Sequence, residues 1–69
     1  MNWDIIKGNW SQMTGDIKAK WGELTEDEIS EVSGEREKFV GLIQEKYGYA
    51  KSDAEHQVDA FFRDVKNAA

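Results

Sequence analysis

The sequence predicts an all-α protein, a small four-helix bundle built from two tandem αα-hairpins, and three observations predict it. Apolar residues recur every three or four positions along most of the chain. The 69 residues contain no proline to interrupt a helix. A phrase is also written twice: Lys20-Trp21-Gly22 returns 26 residues later as Lys46-Tyr47-Gly48. A chain of this length is a single domain, 1–69. A domain of this size buries only about 60% of its unfolded surface. That leaves no room for a core and a deep cleft together.

The first helix is expected over about 3–21. Trp3, Ile6, Trp10, Met13, Ile17, Trp21 and Leu24 share one face. Asn2 is placed to cap it, with Asp4 in the favourable first turn. Asp16 and Lys20 form an i,i+4 pair, and Gly22 is a natural left-handed stop. Gly8 marks the place where the first two turns can separate into a short piece of their own.

The second helix is expected over about 26–33. Thr25 and Glu28 have the spacing of a capping box, and Leu24 and Ile29 that of a hydrophobic staple. Ile29 and Val32 are its apolar residues, and Gly34 ends it. The third helix, about 35–47, carries Phe39, Val40, Ile43 and Tyr47 on one face with Leu42 at the flank. Gly48 stops it, and Tyr49 is expected to fold back onto Ile43. The fourth, about 53–66, opens on a second capping box, Ser52 to Glu55. It buries Ala54, Val58, Phe61, Phe62 and Val65, pairs Asp59 with Arg63, and frays after residue 66.

Laying Gly8 on Gly34 also superposes Gly15 on Gly41, Gly22 on Gly48, Met13 on Phe39 and Ile17 on Ile43. The repeated unit is a helix end, a turn and the next helix start, hence two related hairpins that cover each other's apolar stripe. Gly15 and Gly41 stand inside helices, where each costs about 1 kcal/mol against alanine. By rotation they face away from the stripe. Two readings stay open: tolerated weakness, or a surface that a partner backbone approaches closely.

The net charge of −5 comes from one segment. Residues 23–37 hold seven acids against Arg36, whereas the flanking segments are nearly balanced. An acidic chain repels phosphate backbones and anionic membranes, so neither nucleic acid nor a membrane is an expected partner. The run itself reads as a solvated helix face and a capped N-terminus. No cysteine is present, and no apolar run approaches the length of a membrane span. The expected location is the cytoplasm.

No chemistry-bearing constellation emerges. His56 stands alone among carboxylates and reads as a surface histidine. Glu26, Asp27, Glu28 and Glu31 lack the spacing of a calcium loop. No nucleophile arrangement or phosphate-cradling glycine loop is present. The expectation is a non-enzyme with no catalytic residues, no metal and no cofactor. Trp10 and Trp21 belong to the core stripe. Trp3, near the terminus, is the one placed to stay partly exposed as a binding anchor. Trp3, Gly15 and Gly41 are the candidate interaction surface.

The stretches GNWSQMTGDIKAKWGELTEDE and GEREKFVGLIQEKYGYAKSDAEHQVDAF resemble the CsbD-like family of small bacterial general-stress proteins, over about residues 2–62. KWGELTEDE and GLIQEKYGY are the most specific pieces. The resemblance implies a compact helical domain induced by general or osmotic stress, with no catalytic residue or cofactor to carry over. NWDII at the start is more apolar than the family's usual N-terminus, and either extends the first helix or offers a contact surface. The functional expectation is a small non-catalytic interaction module with a protein partner, itself a monomer or weak homo-oligomer. The alternative is a hydrophilic protectant acting by abundance without a specific site.

Overall fold

The computed structural model describes residues 3–68, with side chains described as far as residue 63. The periodic apolar pattern folds into five helices: α1 (Trp3–Gly8), α2 (Trp10–Lys20), α3 (Glu26–Val32), α4 (Arg36–Tyr47) and α5 (Lys51–Ala68). No strand occurs among the described residues. The expected first helix is therefore two. Gly8 lowers the helical preference, and Asn9 then competes with the backbone. The Asn9 N–H is shared between the Ile5 and Ile6 carbonyls at 3.2 and 3.1 Å, while its side-chain amide also donates to Ile5. The chain turns there, and α2 restarts with a tight bond from the Gln12 N–H to the Asn9 carbonyl. The expected cap at Asn2 lies outside the described residues.

α2 stops one residue earlier than expected, and not through Gly22. Trp21 leaves the helix at φ −120°, ψ 78° while its N–H still bonds Ile17 at 2.8 Å. That exit drives the indole into the core against Phe39 and Phe61. Gly22 does not adopt a left-handed conformation. Gly48, its counterpart in the repeat, does, at φ 72°. The capping box at Thr25 forms in both directions, at 3.1 and 2.9 Å. The second one does not. The Ala54 N–H bonds the Ala50 carbonyl, so α5 has already begun at Lys51 and Ser52 sits inside its first turn. α5 continues to Ala68, past the expected fraying point.

Between α3 and α4, Ser33 and Gly34 both take positive φ, 54° and 79°. Glycine is needed at 34 for a second reason. A Cβ there would lie 2.6 Å from the Lys7 Cα, because α1 crosses directly over this turn. α3 packs against α2 on one side and α4 on the other, and α4 packs on α5. Five helices stand where four were expected; α2 neighbours α3 and α4 neighbours α5, and the α3–α4 contact joins these pairs into one body.

The core lies among all five helices. Ile17, Ile29, Phe39, Ile43 and Val58 are wholly buried. Phe39 is its centre, meeting Trp10, Trp21 and Phe62 edge-on with ring centroids 5.1–5.9 Å apart. Trp10 and Trp21 are core residues, as the stripe predicts. Phe61 is half-buried at the edge, and the Val65 side chain lies outside the described ones.

Candidate functional site

The three residues singled out from the sequence fall in different places. Trp3, on α1, is half-buried and packs its ring edge-on against Phe62, centroids 4.8 Å apart. Its Nε1–H is buried and finds no acceptor among the described residues. Ile5, two positions on in the same helix and on another face, stands 58% exposed. Gly15 is exposed on α2, and Gly41 is exposed on α4. A Cβ at either would meet nothing within 4 Å, so neither glycine serves internal packing. No cavity described in the structure joins Trp3, Gly15 and Gly41.

Gly41 belongs to a concave feature. α3 and α4 lie side by side and leave an open groove of about 570 Å³, lined by Glu28, Glu31, Val32, Lys38, Gly41, Leu42 and Glu45. Val32 and Leu42 form its apolar floor, and the charged side chains form the rim. The sequence places Gly41 on the outer side of its helix and Leu42 at the flank of the apolar face, reads Glu31 as part of a solvated acidic run, and gives Glu45 no role. Their meeting depends on α3 lying against α4, which no local pattern states.

Two ionic clamps tie α4 to its neighbours, one to α3 at the groove and one to α5. Glu28 of the capping box reaches Lys46 at 2.7 Å, tying the start of α3 to the end of α4. The Lys46 contact, with the Thr25 N–H, holds the Glu28 carboxyl below its ordinary value; Lys46 is raised in turn. On the far side Arg36 forms a fork on Asp59, Nε and Nη2 each donating at 2.9 Å, with Glu55 at 3.6 Å. The guanidinium holds Asp59 below the usual carboxylate range. The expected partner for Asp59 was Arg63, one turn along its own helix. The α4–α5 contact brings Arg36 closer, and its planar fork matches the carboxylate better.

Two other local expectations give way to packing. Lys20 lies over the Trp21 ring, 6.0 Å from its centroid, and forms no ion pair with Asp16. Tyr49 stacks on Tyr47 with centroids 5.8 Å apart rather than covering Ile43, which α4 and its neighbours already bury completely. The Tyr47 hydroxyl accepts from the Glu23 N–H at 3.1 Å, fastening the turn after α2 to α4.

His56 is exposed beside a shallow pit formed by Arg36, Ser52, Glu55, Asp59 and Arg63. Arg36 already engages both acids there. Among the described residues no group of three or more histidine, cysteine or acidic side chains is placed to hold a metal ion. No helix among them is long and apolar enough to cross a membrane.

A family model described as CsbD-like matches residues 4–56 of the chain. The protein belongs to the CsbD-like family. Gly15, Gly41 and the whole α3–α4 groove lie within that stretch, and Trp3 just precedes it. The CsbD-like chain is 52% identical to a UPF0337 protein of Bordetella pertussis over 62 residues, 90% of this chain and 94% of that one. A UPF0337 protein of Pseudomonas aeruginosa is 49% identical over 61 residues, 88% and 94% of the two chains. UPF0337 protein YjbJ of Escherichia coli K12 is 48% identical over 58 residues, 84% of each. No solved structure matches the chain.

Proposed function

We propose that this CsbD-like domain is a small non-catalytic interaction module of the bacterial stress response, working in the cytoplasm through contact with another protein. The observation that carries the reading is the pair Gly15 and Gly41. Both occupy helix interiors, both are exposed, and the space over each is empty. Alanine at either position would favour the helix by about 1 kcal/mol without any clash. Residues that weaken the fold and contribute nothing to its packing are explained by close approach of something outside the chain. Half-buried Trp3 offers a second anchor.

The test is affinity capture from stressed bacterial cells with the full chain. A defined protein partner is expected, and its recovery should fall with Gly15→Leu, Gly41→Leu or Trp3→Ala in chains that remain folded. If none of these substitutions alters any recovered partner, the reading has no basis. Protection of a test enzyme from drying or heat that persists when the surface residues are scrambled would favour a protectant acting by abundance.

A further inference from the structure

The α3–α4 groove has an unbalanced rim. Of its four charged side chains, Glu28 is engaged by Lys46 at 2.7 Å, and Lys38 by Glu35 at 3.3 Å. Glu31 and Glu45 form no ion pair or hydrogen bond among the described residues. Two carboxylates without an ion pair therefore flank an apolar floor of Val32 and Leu42, Glu45 feeling only the longer-range charge of Lys46. At Gly41 the absence of a Cβ opens the α4 backbone to direct contact, with no atom of the molecule within 4 Å of the place a Cβ would take.

We infer that this groove seats a short basic protein segment, with an apolar side chain resting on Gly41 between Leu42 and Val32, and lysines or arginines meeting Glu31 and Glu45. The inference rests on the interaction-module reading and names the chemistry of its partner. Charge decides the sign of the occupant. A neutral or acidic segment would desolvate Glu31 and Glu45 without return, whereas a basic one pairs with both. Phosphate-bearing polymers are repelled by the same carboxylates. Shape decides the size. A furrow between two helices accepts one amphipathic helix laid along it, with its apolar anchors at helical spacing. A groove of about 570 Å³ holds a few side chains, so the contact is weak and salt-sensitive.

The probe is a synthetic amphipathic peptide of leucine, alanine and lysine, about 14 residues long so that it can form a helix. Its control replaces every lysine with glutamate. Each is titrated into the full-length ¹⁵N-labelled chain while backbone amide shifts are followed. The expected result is saturable shifts centred on Val32, Gly41, Leu42 and Glu45 with the lysine peptide, and none with the glutamate peptide. The Glu31→Gln/Glu45→Gln double variant should weaken binding about tenfold, and added salt should weaken the wild type similarly. Gly41→Leu should weaken it at least as much while raising the melting temperature, which separates filling of the groove from unfolding. Gln57→Ala on α5 should bind as wild type does.

Shifts spread over the whole acidic surface, or binding indifferent to Gly41→Leu and to the double variant, would overturn the inference. If a captured cellular partner is lost with Trp3→Ala or Gly15→Leu while the peptide ignores the groove, the groove assignment falls and the interaction-module reading stands. If the peptide binds as expected and no substitution affects any cellular partner, the module reading falls and the groove chemistry stands.

Discussion

The Trp10 indole N–H donates to the Ile29 carbonyl at 2.8 Å, a buried hydrogen bond that pins α2 to α3 from inside the core. Trp3 carries the same group without an acceptor among the described residues. The two tryptophans should therefore respond unequally to the same substitution. Trp10→Phe removes a buried hydrogen bond and part of a filled volume, and should cost about 1–3 kcal/mol. Trp3→Phe keeps a ring against Phe62 and discards an unsatisfied donor, so its cost should stay below about 0.5 kcal/mol. Urea denaturation of the two variants beside wild type measures both. Equal losses would show that the Ile29 bond contributes nothing distinctive.

The Glu28–Lys46 clamp gives stability a defined dependence on pH. Glu28 is held below its ordinary 4.5, and Asp59 below 3.8, by Lys46 and Arg36 respectively. Carboxyls lowered in the folded state contribute stability that is present above the unfolded values. It is lost as pH falls through the folded ones. Lys46 is raised above 10.5, so its share is present below that value and lost as pH rises through the folded one. Glu28→Gln keeps an acceptor for the Thr25 N–H and loses the ion pair. The variant should start lower at pH 7 and lose less melting temperature than wild type between pH 6 and about pH 3. Parallel acid profiles for the two proteins would remove Glu28 from the account.

Arg36 is held on Asp59 through two parallel 2.9 Å bonds, with Glu55 a longer third contact. Lysine can supply charge there but not the fork. About a third of the Asp59 side chain is exposed, so solvent discounts the pair heavily. Arg36→Lys should cost no more than about 1 kcal/mol at low salt, and less at high salt. A double-mutant cycle with Asp59→Asn should return a coupling of about 0.5–1 kcal/mol. A coupling of zero would mean that the geometry does not convert into stability.

These residues also show how much of the molecule can be read from its order of amino acids. The Thr25–Glu28 box is written within four positions and forms as spelled, whereas the equally spaced Ser52–Glu55 pair does not cap because α5 already begins at Lys51. The core stripe is legible from local spacing: Trp10, Ile17 and Ile43 each follow the helical period and are buried. Arg36 and Asp59 are 23 residues apart, and a local rule gives Asp59 to Arg63 instead. Lys20-Trp21-Gly22 and Lys46-Tyr47-Gly48 are nearly the same phrase but end their helices differently. Trp21 is fully taken into the core, whereas Tyr47 is half-buried at its edge with its hydroxyl accepting from the Glu23 N–H. The groove was hidden for a related reason. Glu31 and Glu45 are ordinary solvated acids until α3 is laid beside α4, and only then do they flank Gly41.

The glycines separate what the fold needs from what it merely carries. At Gly34 a side chain would strike the Lys7 backbone at 2.6 Å in a conformation, φ 79°, that L-residues resist. Gly34→Ala should therefore cost about 2 kcal/mol or more, by pushing α1 off the α3–α4 turn. At Gly15 and Gly41 the backbone is helical and the space above is empty. Alanine there should stabilise by about 0.4–1 kcal/mol each, since it narrows the unfolded ensemble and meets no obstacle. In a domain of this size, each kcal/mol shifts the melting temperature by about 4–8 °C, so thermal scans resolve all three variants. The two sites are on different helices, so the double variant should be close to additive. If Gly15→Ala or Gly41→Ala destabilises instead, that glycine is serving the fold after all. The case for an external partner at its position then disappears.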